Sequence, residues 1–185
     1  MDQIAAAVGV SKLTIYRRFP NKEALLIAVV DHYIGQLTAT IDAACRYGLS
    51  ALDELRETTR TLFNASLEQE SILFGRLLIG ESIHNETLSL RFGDWEATAR
   101  APVLARMVTA QQAGEVIDGD PGLLTSILCE LVDGLARRRR QGLKDALSAD
   151  PETFFEERWN FFQTTASTSS LWRLGSVDPH VARLS

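Results

Sequence analysis

Apolar positions recur at helical spacing along almost the whole chain, and no segment alternates as a half-buried strand would. In the longest stripe, Leu25, Val29, Tyr33, Leu37 and Ile41 follow one another every four residues. Further stripes resume at position 51 and continue, with interruptions, to position 162. The pattern therefore predicts an all-α protein.

Capping residues and prolines mark where the predicted helices begin and end. Four polar residues stand where an N-cap is expected, the last two of them directly before a proline: Ser11, Asn21, Asp120 and Asp150. Gly114 is expected to end the helix that covers 87–113. Pro102 lies inside that stripe and predicts a kink or a break.

The composition is that of an ordinary globular protein. The chain has 185 residues, of which 45% are apolar and 23% charged. Its N-terminus lacks the basic and apolar regions of a secretory signal, and no uninterrupted apolar run reaches the length of a membrane span. Cys45 and Cys129 belong to no CxxC pair. We expect a cytoplasmic protein with no membrane partner, metal, cofactor or disulfide framework.

Positive charge is concentrated near the N-terminus. The net charge is −5, which argues against a surface that is basic throughout. Between positions 11 and 22, however, the chain has no acid and four basic residues: Lys12, Arg17, Arg18 and Lys22. Because salt screens each charge within about 8–10 Å, such a patch can attract phosphates locally.

The first 20 residues predict two short helices joined by a tight turn. Gly9 suits a turn that needs a positive φ, and Ala5 is small where two helices must cross closely. Contacts between the helices are expected from the apolar residues Ile4, Val8, Val10 and Ile15. This arrangement is typical of a helix-turn-helix, although any short amphipathic helix pair with a glycine turn has the same shape.

The second short helix carries side chains suited to double-stranded DNA. Residues at its start would face base edges in the major groove: Ser11, Lys12, Leu13 and Thr14. Longer side chains would reach phosphates: Tyr16, Arg17, Arg18 and Lys22. Lys22 stands in the first turn of the third helix, where the helix dipole disfavours a cation, so a role in binding phosphate is indicated.

Residues 4–25, IAAAVGVSKLTIYRRFPNKEAL, closely resemble the DNA-binding signature of the TetR-type transcriptional regulators. The resemblance covers the N-terminal part of the chain, and the rest is similar in layout only. It implies a helical regulatory domain that binds a small-molecule effector and a homodimer that reads a palindromic operator. It also implies that Tyr16 and Lys22 contact phosphates and that Lys12, Leu13 and Thr14 lie near the bases. Leu13 stands where the family frequently has glycine.

The family has one more helix before the position where this sequence starts. Either the start codon is assigned too late, or the chain truly lacks the first helix of the DNA-binding domain. Ile4, Val8 and Ile15 would then lose a packing partner, at about 1.5–3 kcal/mol for each exposed side chain. We expect the 185-residue form to bind DNA weakly or not at all. A gel shift in which it binds as tightly as an upstream-extended form would contradict this.

Eight residues of the central segment are candidates for contact with the effector. The set is Phe63, Phe74, Leu78, Glu81, His84, Phe92, Trp95 and Met107. For any one apolar member, ordinary core packing is the favoured interpretation. Glu81 and His84 could share a helix face, where a solvated pair is a better interpretation than a metal site.

Two further features lie toward the C-terminus. The helices that begin at Asp120 and Asp150 carry apolar residues around a wide part of their circumference. One chain would struggle to cover all of these residues, which predicts a dimer interface. Its candidate residues are Leu124, Leu128, Leu131, Leu135, Phe155, Trp159 and Phe162. The run of four arginines at 137–140 could bind phosphate, but the solvated C-terminal end of a helix is the favoured interpretation.

The expected organisation is a helix-turn-helix with its connecting helix over 1–46, an effector-binding and dimerisation domain over 47–166, and a flexible tail over 167–185. The leading hypothesis is a repressor that an effector releases from DNA. The alternative is a dimeric small-molecule-binding protein whose DNA binding is impaired. A helical enzyme is the third hypothesis, and no GxSxG, HExxH or phosphate-binding loop motif supports it.

Overall fold

The computed structural model describes residues 1–43 and 48–166. Within these ranges the chain is helical and contains no β-strand. The helices are α1 (Asp2–Ala7), α2 (Lys12–Arg18), α3 (Lys22–Ala43), α4 (Ala51–Leu67), α5 (Gln69–Ser82), α6 (Glu86–Gln112), α7 (Pro121–Arg140), α8 (Lys144–Ser148) and α9 (Pro151–Ala166). The predicted all-α fold is confirmed.

All four predicted N-caps form in the structure. Ser11 Oγ accepts a hydrogen bond from Thr14 N at 3.1 Å and Asn21 Oδ1 accepts one from Ala24 N at 2.7 Å. The two aspartates before prolines likewise accept backbone N–H bonds at the starts of α7 and α9. Gly114 adopts φ of 72° directly after α6, as expected for a residue that ends a helix.

The helix around Pro102 is not broken. α6 runs from Glu86 to Gln112, with Pro102 buried inside it. Val103 and Met107, which follow it, are completely buried against the main core. Packing of this segment therefore offsets the backbone hydrogen bond that the proline ring removes.

Two apolar clusters hold the helices together. The larger cluster is built from α4, α6, α7 and α9, and its largest side chains are Phe63, Met107, Phe155, Trp159 and Phe162. The smaller one joins α3, α5 and α6 through Leu26, Val30, Leu78, Leu88 and Trp95. Through the smaller cluster, the helix that follows the helix-turn-helix is packed directly on the body of the protein.

The expectation that no segment is long and apolar enough to span a membrane does not hold for α3. By length and composition alone it could cross a bilayer, and 17% of its most apolar window is buried. Its middle carries Asp31, whose carboxylate accepts a hydrogen bond from Trp95 Nε1 at 2.7 Å. This contact ties α3 to α6 as part of the folded protein.

The last described helix, α9, continues to Ala166, whose carbonyl accepts a bond from Ile117 N at 2.9 Å. The tail predicted over 167–185, the domain boundary predicted near 46 and Cys45 all lie outside the described residues.

Candidate functional site

The N-terminal helix pair presents the basic residues of α2 on its surface. α2 is helical from Lys12 to Arg18, and Gly9 adopts φ of 69° in the turn before it. Tyr16 is 40% exposed, and the side chain of Lys22 is 66% exposed. The segment predicted to contact DNA is therefore helical and open to a ligand.

The apolar contact between α1 and α2 is smaller than the sequence suggested. Ala5 and Ile15 are buried, as expected for residues that face each other across the turn. Ile4, Val8 and Val10 are exposed, so the expectation that they supply contacts between the two helices is wrong.

Several of the predicted DNA-contacting side chains already have partners within the chain. Lys12 Nζ lies 2.8 Å from Asp2 Oδ1, and this hydrogen-bonded carboxylate raises the pKa of Lys12. The same bond lowers the pKa of Asp2. The Ser11 hydroxyl caps α2 and lies 2.8 Å from Thr14 Oγ1, so both hydroxyls take part in helix capping. A nucleic acid would have to compete with or share these contacts.

Among the polar contacts that join the start and middle of α3 to the body, three involve Lys22, Glu23 and Asp31. Lys22 Nζ donates to Glu81 Oε1 at 2.6 Å, at the end of α5. Asn85 Nδ2 donates to Glu23 Oε2 at 2.7 Å. The third contact is the bond from Trp95 to Asp31. Movement of α5 or α6 would therefore be transmitted to the helix that carries Lys22.

A cavity of about 230 Å³ lies behind α3, between α4, α5, α6 and α7. Five of the eight predicted effector-contacting residues line it: Phe63, Phe74, Leu78, Phe92 and Trp95. The other three do not line this cavity. Met107 is completely buried in the larger core, Glu81 pairs with Lys22, and His84 is exposed beyond the end of α5.

Polar residues of the cavity wall were missed by the sequence analysis. They are Tyr33, Ser66, Ser71, Glu96, Arg100, Asp133 and Arg140. Asp133 and Arg140 lie seven residues apart and therefore on one face of α7, and that spacing was the available signal. Cys129 also lines the cavity, and burial raises the pKa of its thiol to about 12, so the thiol stays protonated.

The run of four arginines does end a helix, but two of its members are engaged inside the protein. Arg139 donates to the carbonyls of Ala146 and Ala149, which fixes α8. Arg140 Nη2 donates to Asp133 Oδ2 at 2.7 Å in the cavity wall. The expectation of a wholly solvated helix end is therefore wrong for this pair of arginines.

The residues proposed for the dimer interface lie mostly inside one chain. Five of them belong to the larger core and are almost inaccessible: Leu128, Leu135, Phe155, Trp159 and Phe162. Leu124 and Leu131 pack partly buried against the same core. The expectation that one chain could not cover these side chains is wrong, because α4 and α6 pack over the faces of α7 and α9 that bear them. The exposed apolar residues of these two helices are Leu123, Ile127 and Phe161.

The sequence profile described as "Bacterial regulatory proteins, tetR family" matches residues 1–29, which comprise the helix-turn-helix and the start of α3. The first 29 residues thus match the TetR family. Similar solved structures share the fold of the rest of the described chain. A TetR transcription regulator from Haloarcula marismortui has a TM-score of 0.74 at 18% identity and covers 90% of this chain and 86% of its own. The Flavonoid-responsive Regulator FrrA has a TM-score of 0.65 at 25% identity and covers 91% of this chain and 86% of its own.

Curated relatives are also similar over most of the chain. Nucleoid occlusion factor SlmA of Shewanella woodyi is 25% identical over 171 residues, covering 87% of this chain and 81% of the relative. The SlmA protein of Haemophilus influenzae strain PittGG is 21% identical over 164 residues, with 87% and 73% covered. The comparisons accordingly match the helix-turn-helix to the TetR family and the helical body to the fold of TetR-family structures.

Proposed function

We propose that this protein is a cytoplasmic repressor that binds a palindromic operator as a homodimer and is released by a small-molecule effector. The observation that carries the proposal is the exposed basic surface of α2 and Lys22, joined through α3 to a cavity in the body. In this arrangement Ser11, Lys12, Leu13 and Thr14 face base edges. Tyr16, Arg17, Arg18 and Lys22 hold the flanking phosphates.

The route from cavity to DNA runs through α3. Trp95 lines the cavity and is hydrogen-bonded to Asp31 on α3, whose first residue is Lys22. An effector that repositions Trp95 would shift α3 and with it the spacing of the two DNA-reading helices in the dimer. The effector binds one position of α3 more tightly than the other. The factor by which it changes the affinity for DNA cannot exceed the ratio of these two effector affinities.

In this proposal, residues 1–46 are the DNA-binding part with its connecting helix, and residues 47–166 are the effector-binding and dimerisation part. Leu123, Ile127 and Phe161 supply the exposed apolar face through which a second copy would pair. Two copies related by a two-fold axis would present their α2 helices to successive turns of the duplex.

The test begins with selection of duplex DNA from a random pool by the full chain, followed by fluorescence anisotropy on the selected site. Arg17→Gln removes an exposed charge of α2 and is expected to weaken binding about ten-fold. It should also reduce the slope of log affinity against log salt by about one, because one phosphate contact is lost. Lys144→Gln, which removes an exposed charge on α8, is the matched control and should change neither value.

Because weak binding is expected of the 185-residue form, the selection is run in parallel with an upstream-extended form. Failure of both forms to enrich any sequence over the random pool would contradict the proposal. Equal weakening by Arg17→Gln and Lys144→Gln would contradict the assignment of α2 as the DNA-reading helix.

A role in nucleoid occlusion is a second candidate, favoured by the alignment with SlmA over 87% of the chain. A deletion strain separates the two functions. Changed transcripts beside the bound sites support the repressor, whereas unchanged transcripts with division septa placed across nucleoids support the second candidate.

A further inference from the structure

The charged side chains in the cavity wall are already paired with each other. Arg140 Nη2 lies 2.7 Å from Asp133 Oδ2, and these side chains are 19% and 31% exposed. Arg100 Nη2 lies 2.8 Å from Glu96 Oε1, one helical turn away on α6. Two acids and two bases leave the wall with no net charge for a bound molecule to neutralise.

The position of Arg140 is built into the fold. Gly75 on α5 provides the space, because a Cβ atom there would lie 2.6 Å from Arg140 Cδ. The guanidinium of Arg76 donates to the carbonyls of Arg139 and Arg140 at 2.8 Å and 2.6 Å, so α5 also holds the end of α7. Arg140 is thereby directed along the cavity wall toward Asp133.

The remaining wall is mainly aromatic and aliphatic. Tyr33 and Phe74 pack with ring centroids 4.8 Å apart, and Trp95 and Phe92 line the cavity from α6. The Tyr33 hydroxyl is hydrogen-bonded to Ser71, which in turn donates to the Ala65 carbonyl. The hydroxyls are thus partnered within the protein, and flat aromatic surfaces remain for a ligand.

The size of the cavity limits the occupant. A protein cavity of about 150 Å³ takes up benzene, and this cavity measures about 230 Å³. A one-ring or two-ring molecule matches this volume.

We propose that the cavity binds a neutral aromatic molecule of one or two rings, and that Asp133 sets this preference by neutralising Arg140. The proposal rests on the proposed function only in taking this cavity as the effector site. An anionic ligand would have to displace Asp133 from Arg140 and leave a carboxylate unpaired in a half-buried wall. A cationic ligand would meet the same cost at Arg140. A neutral ring packs against the aromatic residues without breaking either ion pair.

Three probes with one ring system and different charge test the proposal: 2-naphthol, 2-naphthoate and 2-naphthylmethylammonium. Their dissociation constants for the full chain are measured by isothermal titration calorimetry at neutral pH, without DNA. We expect 2-naphthol to bind at least about ten-fold more tightly than either charged probe.

Variants of the ion pair should change the preference in opposite directions. Asp133→Asn leaves Arg140 without its carboxylate, so the affinity for 2-naphthoate relative to 2-naphthol should rise at least about ten-fold. Arg140→Gln leaves Asp133 without its cation and should raise the relative affinity for 2-naphthylmethylammonium instead. Asp118→Asn, which changes an exposed carboxylate that does not line the cavity, is the matched control and should leave the ratios unchanged.

The two variants provide independent tests if one of them fails to fold, as checked by circular dichroism melting. The proposal is overturned if 2-naphthoate binds the unaltered chain as tightly as 2-naphthol, or if folded protein binds none of the probes. It is also overturned if a folded ion-pair variant leaves the ratios unchanged. Because no DNA is present, failure of the repressor proposal leaves these outcomes unaffected and is detected separately by the DNA selection.

Discussion

Glu156 is the residue through which α9 is tied to α4. Arg56 Nη2 donates to Glu156 Oε1 at 2.6 Å, and Arg60 donates both to that oxygen and to Glu152. The guanidinium of Arg60 also lies 4.8 Å from the ring centroid of Phe155, in the larger core. One carboxylate thus holds two partly buried arginines in place.

The hydrogen bond from Arg56 lowers the pKa of Glu156 in the folded protein. The carboxylate of Glu156 therefore loses its proton more readily in the folded state than in the unfolded state. Its contact with the arginines stabilises the fold fully at pH values above the usual glutamate pKa of about 4.3. The stabilisation is lost as the pH falls through the lowered pKa of the folded state.

Glu156→Gln is therefore expected to reduce the free energy of unfolding by about 1–2 kcal/mol at neutral pH, since two guanidinium groups lose a charged partner. Urea unfolding followed by circular dichroism, repeated from neutral to acidic pH, measures the difference between variant and parent. That difference should shrink as the pH falls through the lowered pKa of Glu156. Glu157→Gln is the control, because Glu157 is mostly exposed and pairs only with its neighbour Arg158 among the ion pairs of the described chain. A difference independent of pH would contradict the role assigned to Glu156.

At the scale of the helix, local signals predicted boundaries well and packing partners poorly. The N-caps at Ser11, Asn21, Asp120 and Asp150 follow from side-chain chemistry that acts within three residues, so the sequence was sufficient to predict them. α8 has only five residues, too few for an apolar period to show.

Burial across helices depends on which faces meet, and the sequence pattern does not contain that information. The four-residue spacing of Phe155 and Trp159 fits a helix face that packs in a dimer interface and one that packs in the core of a single chain. The structure places both residues in the core of one chain. The same limit applies to the cavity. Four of its five aromatic residues could be predicted as a set, all but Tyr33. The pairing of Arg140 with Asp133 required the position of the α7 terminus against α5.

At the scale of the whole molecule, the account requires two copies of the chain. Ile127 and Phe161 are 44% and 59% exposed on α7 and α9, and Leu123 adds to this apolar face. A monomer would leave these side chains exposed and would not gain the free energy of burying them. A second copy related by a two-fold axis would cover them.

Phe161→Glu is expected to convert the protein to a monomer, because a carboxylate would be buried at the two-fold contact without a partner. Sedimentation velocity measures the change, at a concentration where the parent chain sediments as a dimer. Leu73→Glu places the same charge at an exposed leucine on α5 and should leave the dimer intact. A parent chain that sediments as a monomer at high concentration would contradict the proposed pairing.

Hydroxyl-radical footprinting of the full chain on its selected DNA site measures whether paired copies of α2 lie along a duplex. We expect two protected patches related by a two-fold axis, with centres about 10 base pairs or a small multiple of that apart. A single unpaired patch, or an unprotected duplex at protein concentrations that saturate the anisotropy signal, would contradict this arrangement.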